Sequence, residues 1–179
     1  MLPMTRTRSF SLRSYAAVAE AIVLAAVAGA GGATILIAQD AAVAPEPVVR
    51  EAFATGSPVA APGQQLQLVR YVIQPGTTLP PHTHPGMQIA RVESGTLRYT
   101  LVAGGETPVH RKGTAGGPGA VETLRPGQNT IVHPGDTVIE AENVVHFGAS
   151  VGEEPVVIWA AALLRRGEPA STVAREPEP

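Results

Sequence analysis

Between residues 64 and 164 the chain is divided by turn signals, Ser94-Gly95, Gly104-Gly105, Pro126-Gly127 and Pro134-Gly135, that leave only short apolar runs between them. Runs of that length are strands, because a helix needs ten or more uninterrupted residues to bury a face. "QLQLVRYVI" (65–73) sets Leu66 and Leu68 against Gln65 and Gln67, the period-two pattern of a strand with one buried face. Similar runs predict strands over 88–93, 96–102, 109–112, 129–133, 137–139, 144–149 and 156–164. About eight or nine short strands without a soluble helix point to an all-β sandwich or barrel. The Gly-rich stretch 113–120, "GTAGGPGA", reads as an excursion between strands and lacks the strand, GKS/T and helix of a phosphate loop.

The flanks differ from this body. Arg6, Arg8 and Arg13 lie in a basic segment, 1–15, ahead of an apolar stretch, 16–38, whose one charge is Glu20. As a helix this stretch would reach about 34 Å, enough for a bilayer core of about 30 Å. Basic residues before it and none soon after predict a cytoplasmic N-terminus and an exported body. The stretch is therefore expected to be a transmembrane anchor, with a cleaved signal peptide as the alternative. Membrane anchoring with an extracytoplasmic domain, or secretion, follows in turn. Residues 39–63 are Ala/Pro-rich and read as a linker, and the Pro-rich polar tail 165–179 as disordered. A net charge of −2 without a basic block in the body argues against nucleic acid as a partner, and the lack of cysteine excludes disulfides and thiol chemistry.

All five histidines fall inside the predicted β domain. His82 and His84 stand at i and i+2, so on an extended chain both side chains leave one face. Pro81 fixes its own φ, and Pro85 holds His84 in β or polyproline geometry, which presets the two imidazoles toward one point. Gln88 follows and can return over the same cavity if Pro85-Gly86-Met87 turns. His146 shares a strand face with Val144 and Gly148. His133 is expected on the rim and His110 at the surface. Tyr99, Phe147 and Trp159 are expected in the core, and Glu140 and Glu142 on a solvated edge. Arg91 should point away from Gln88, leaving Ala90 and Val92 to face inward.

These residues resemble the two motifs of the cupins, G-x5-H-x-H-x3–4-E-x6-G and G-x5-P-x-G-x2-H-x3-N. The first reads Gly76, TTLPP, His82, Thr83, His84, PGM, Gln88, IARVES, Gly95, with every spacing kept and Gln in place of Glu. The second reads Gly135, DTVIE, Ala141, Glu142, Asn143, VV, His146, FGA, Ser150, with its spacing kept and three residues changed. Asn tolerates a left-handed turn, so Asn143 can stand for the motif glycine. The resemblance spans 76–150 and, with flanking strands, about 64–164.

The resemblance implies a double-stranded β-helix, the jelly-roll cupin barrel, with one divalent metal ion (Fe, Mn, Ni, Zn or Cu) in its mouth. The ligands it implies are His82, His84, Gln88 and His146. It is similar to quercetin-dioxygenase-like cupins, which implies O2-dependent chemistry on a small organic molecule. A non-catalytic binding module and a metal-dependent isomerase or lyase are the alternatives. Pairing into a homodimer is a further analogy. An amide at position 88 implies weaker metal affinity, a stronger Lewis acid and no general base there.

Overall fold

The computed structural model describes residues 45–114, 117 and 119–174. The apolar stretch 16–38, and with it the expected helix, lies outside these. Within them the chain forms twelve strands and no helix: β1 (Val48–Gly56), β2 (Gln64–Ile73), β3 (His82–Thr83), β4 (Gly86–Ser94), β5 (Leu97–Ala103), β6 (Thr107–His110), β7 (Val121–Leu124), β8 (Asn129–Val132), β9 (Thr137–Glu140), β10 (Val145–Ser150), β11 (Val156–Arg165) and β12 (Thr172–Val173).

All pairs are antiparallel. Seven strands form one sheet, in the order β1-β2-β11-β4-β9-β6-β7, and five form the other, in the order β12-β3-β10-β5-β8. Side chains alternate across each strand, and the inward sets from both sheets make one core of Ile73, Val92, Leu97, Leu101, Val109, Val132, Val138 and Val156. Most of these are β-branched, which suits a pleated, half-buried surface, and burying each contributes about 1.5–3 kcal/mol. The architecture is all-β, as the strand pattern predicted, and is the jelly roll that the resemblance implied.

The body is longer than 64–164. Residues 39–63, expected as a linker, contain β1, which pairs along β2 from Val48↔Ile73 to Gly56↔Leu66. In the tail, expected to be disordered, Arg165 closes β11 and β12 pairs with β3 through Val173↔His82. The chain between the two motifs, on either side of the Gly-rich stretch 113–120, forms the strand pair β6–β7, which extends the larger sheet. Trp159, expected in the core, instead lies on the outer face. There its indole N–H donates to Glu93 at 2.9 Å and its ring meets Phe53 at 5.0 Å.

Two backbone features aim the site. Asn143 is the one non-glycine residue with positive φ (67°) among those described, in the turn that leads β9 into β10. Gly86, between His84 and Gln88, has φ of 152°, and a Cβ there would sit 2.1 Å from the Leu163 carbonyl oxygen. Only glycine lets β4 start this close to β11.

Candidate metal centre

His82 pairs directly with His146 across β3 and β10, and His84 follows one residue past the end of β3. The three rings lie 4.5–5.2 Å apart, centroid to centroid. One ring nitrogen of each falls within 4.8 Å of the others. Three nitrogens bound to one metal at about 2.1 Å would lie roughly 3–3.5 Å from one another, so the rings would draw together by roughly an ångström to share an ion.

Backbone carbonyls settle which nitrogens are free. His82 Nδ1 lies 2.8 Å from the Pro80 oxygen, His84 Nδ1 2.7 Å from the Ala170 oxygen and His146 Nδ1 3.2 Å from the Val144 oxygen. A carbonyl can only accept, so each Nδ1 carries the proton, and neutral His82 and His84 keep the lone pair on Nε2. His146 Nε2, in contrast, faces the Glu140 carboxylate at 3.1 Å, donates to it, and would have to release that proton to bind a metal. The Nδ1–H form is the tautomer a metal-binding histidine needs, held by the kind of outer contact that orients such ligands. His84 and His146 are 6% and 3% exposed. Burial lowers the pKa of His82 and of His84 below the usual imidazole value, which favours the neutral, ligating form. Burial also opposes charge on His146, but the neighbouring Glu140 carboxylate outweighs it and raises its pKa.

Glu140 is the correction the structure makes to the sequence reading. Expected on a solvated edge with Glu142, it is 7% exposed and points into the cavity from β9. Its Oε1 lies 3.1 Å from His146 Nε2 and its Oε2 3.5 Å from His84 Nε2. Burial would push its carboxyl up, but His146, His84 and His82 pull it down to about 2. Glu142 is exposed and ion-pairs with Arg165, as an edge residue does.

Gln88, expected as the fourth ligand, is 3% exposed and sits directly across from Glu140 in the β4–β9 register. Its Nε2 donates to Glu140 Oε2 at 3.0 Å, and its Oε1 accepts from the Tyr71 hydroxyl at 3.4 Å. A carboxylate can only accept, so the amide must present its nitrogen to Glu140. The amide oxygen, the atom a metal would use, therefore faces Tyr71. Here the oxygen donor beside the histidines is Glu140, so the cavity does contain a carboxylate. One negative charge therefore stands beside the three histidines despite the amide at position 88.

The remaining wall is apolar, from Ile73, Leu79, Ala90, Leu97 and Ile158, around a cavity of about 70 Å³. Tyr99 is 2% exposed and stacks on His146 at 5.2 Å with 19° between the planes. Ala90 and Val92 face inward and Arg91 outward, as the parity predicted, and His110 and His133 are exposed. Glu140 had a local signal that went unread: in "TVIE" it shares parity with the buried Val138.

A family profile described as "Cupin domain" matches residues 69–114, a segment that holds His82, His84 and Gln88. Over 97 residues the chain is 31% identical to germin-like protein subfamily 1 member 4 of Arabidopsis thaliana, covering 54% of this chain and 36% of that protein. The chain belongs to the cupin superfamily. The cupin described here thus spans about a third of the length of that curated relative. Among solved structures it is similar to a cupin superfamily protein from Desulfitobacterium hafniense, with a TM-score of 0.44 and 12% identity over 65% of this chain and 77% of that one. It is also similar to a salicylate 1,2-dioxygenase mutant from Pseudoaminobacter salicylatoxidans in complex with gentisate, with a TM-score of 0.44 and 13% identity over 65% and 25%.

Proposed function

We propose that this cupin binds one divalent metal through His82, His84 and His146, with Glu140 as its carboxylate, and takes a small organic ligand beside it. The observation that supports this reading is the set of three Nδ1–carbonyl contacts, which turn the Nε2 atoms of all three histidines, with the Glu140 carboxylate among them, toward one cavity. Imidazole and carboxylate donors fit Fe, Mn, Ni, Zn or Cu. Such a metal would supply Lewis acidity and open positions for a ligand or dioxygen.

The chain's own residues supply the rest. Gln88 holds Glu140 by its amide nitrogen, and Tyr71 fixes the amide from the other side. Glu140 is the group placed to accept a proton from a ligand. The apolar wall excludes water and strengthens each polar contact inside. As an enzyme, the protein is proposed to be an O2-dependent dioxygenase acting on a small molecule.

Two further parts of the proposal concern the whole chain. Export or tethering through 16–38 rests on the arginines before that stretch and its apolar length. Pairing of two copies is supported by Leu66, Leu68, Met87 and Ile89, which are 44–48% exposed on the outer face of the larger sheet. The register through Ala161 and Leu163 sets them side by side.

The test is metal analysis of the purified chain and of its His146→Ala variant. The wild type should carry close to one metal per chain, and the variant should lose affinity by at least about a hundredfold. Equal occupancy in both would refute the assignment, and no binding of any of the five metals would refute the metal reading. Oxygen uptake with a panel of enediols and catechols then separates a dioxygenase from a binding module.

A further inference from the structure

Behind Tyr71, which lines the cavity, stands a cation that the metal site does not use. Arg50 lies on β1 directly across from Tyr71, and Tyr71 lines the cavity. The pair shares its face with Val48 and Ile73, which pack on the core, so Arg50 faces the inside of the sandwich although it is solvent-exposed. Its guanidinium carbon sits 5.9 Å from the Tyr71 ring centroid. Its Nε lies 3.4 Å from the Tyr71 hydroxyl oxygen, and its Nη2 donates to Gln67 Oε1 at 2.7 Å. Gln67 is itself held, donating to Gln65 at 2.9 Å. The head group is therefore fixed in place, one phenol away from Gln88.

Its charge is unspent. Among the described residues no carboxylate lies within ion-pair distance of Arg50, whereas Arg70, on the opposite face of the same strand pair, is bound to Glu51 at 3.3 Å. Three neutral imidazoles and one carboxylate offset only half the charge of a divalent ion, and Arg50 adds another positive charge beside them. Such a site favours an anion. The cavity of about 70 Å³ and its aliphatic wall suit an anion of a few heavy atoms. We infer that the ligand is a short-chain carboxylate, such as a hydroxy or keto acid, and that Arg50 binds its carboxylate and sets specificity for anions over neutral molecules of the same shape. This rests on the proposed metal-binding reading for the second end of the ligand. Arg50 itself acts whether or not a metal is present.

The test uses lactate and its uncharged isostere lactamide on the full chain. The chain is loaded with Co(II) and followed by visible absorption and calorimetry. The wild type should bind lactate at least about tenfold more tightly than lactamide, as a charge-assisted contact predicts. Arg50→Gln should cut that preference at least severalfold with Co(II) occupancy and thermal midpoint unchanged, and Arg50→Lys should restore part of it. The same comparison by calorimetry on the metal-free chain reads Arg50 alone. A failure of Co(II) to bind would therefore count against the metal reading and leave this test intact. Undiminished preference in Arg50→Gln, or no preference in the wild type in either state, would overturn the inference.

Discussion

Replacing Gln88 by Glu puts the site's geometry to a test whose sign is not obvious. In the wild type the Gln88 amide donates to Glu140 across 3.0 Å, with both side chains buried. Gln88→Glu swaps the donor for an acceptor, so two carboxylates face each other at the same contact. Like charges about 4 Å apart repel by about 4 kcal/mol at an effective dielectric of about 20, which is equivalent to about three pKa units. The folded pair then binds a proton that the unfolded chain releases above about pH 4.3. Because the folded state holds more protons between its raised pKa and that value, stability falls as pH rises through the window. Metal-free Gln88→Glu should be about 4 kcal/mol less stable than the wild type in urea at pH 8, and only about 1 kcal/mol less stable at pH 5. Metal affinity alone cannot decide the matter, since a dication relieves the repulsion and binds more tightly whether or not position 88 ligates. The metal-free stability does decide it. A variant within about 0.5 kcal/mol of wild type at pH 8 would mean that residue 88 does not face Glu140, and the positioning role argued for Gln88 would be wrong.

Two further variants test the frame around the site. Gly86→Ala places a Cβ 2.1 Å from the Leu163 oxygen and should cost at least about 3 kcal/mol, lowering the thermal midpoint by roughly 10 °C; an unchanged melt would mean that β4 and β11 are further apart than described. Asp136, 5% exposed, accepts from Arg111 at 2.8 Å, the Lys112 amide at 2.7 Å and the His133 amide at 3.1 Å. Burial opposes its charge, but these donors outweigh it and hold its pKa below the usual carboxylate value. Its contribution is therefore complete above about pH 4 and is lost as pH falls through the lowered pKa. Asp136→Ala should cost about 3 kcal/mol at pH 7 and proportionally less in acid, read from urea unfolding at both pH values. A pH-independent difference would sink the ion-pair account.

What could be read from the sequence followed the range of the forces involved. Local signals sufficed for most strands, because alternation and turn residues act within ten positions, as at Pro134-Gly135. In 65–73 the alternation marked the strand but not its face, since Gln65 and Gln67 are half-buried and Leu66 and Leu68 are exposed. Such signals failed at β1, where a bulge between Ala52 and Ala54 breaks the period and an edge strand leaves most residues exposed. They also failed at β3 and β12, which are two residues each and have no pattern to show. Arg50 was lost with β1, because its meaning depends on pairing with Tyr71. His82, His84 and His146 were legible because spacing and proline set their geometry locally and a second motif repeated the signal. Glu140 was not, since a carboxylate at an inward strand position looks like an error until the three histidines that compensate it are brought in by other strands.

That nonlocal compensation also explains how an amide can stand at position 88. The cupin pattern puts a carboxylate there, on β4, reaching the cavity from the same face as Ala90. In this chain the residue directly across the ladder, Glu140 on β9, reaches the same cavity from about one strand spacing away, roughly 4.8 Å. Antiparallel register makes the two positions near-equivalent as sources of an oxygen donor, but two carboxylates there would repel and two amides would leave the dication uncompensated. One of each is the combination that satisfies both constraints: the carboxylate supplies the charge, and the amide, donating to it, fixes its direction. The amide is thus the partner that a carboxylate at 140 requires. Gln88→Glu combined with Glu140→Gln should accordingly recover most of the stability lost by the single Gln88→Glu change. Simple additivity of the two single variants would show that the pair does not act as a unit.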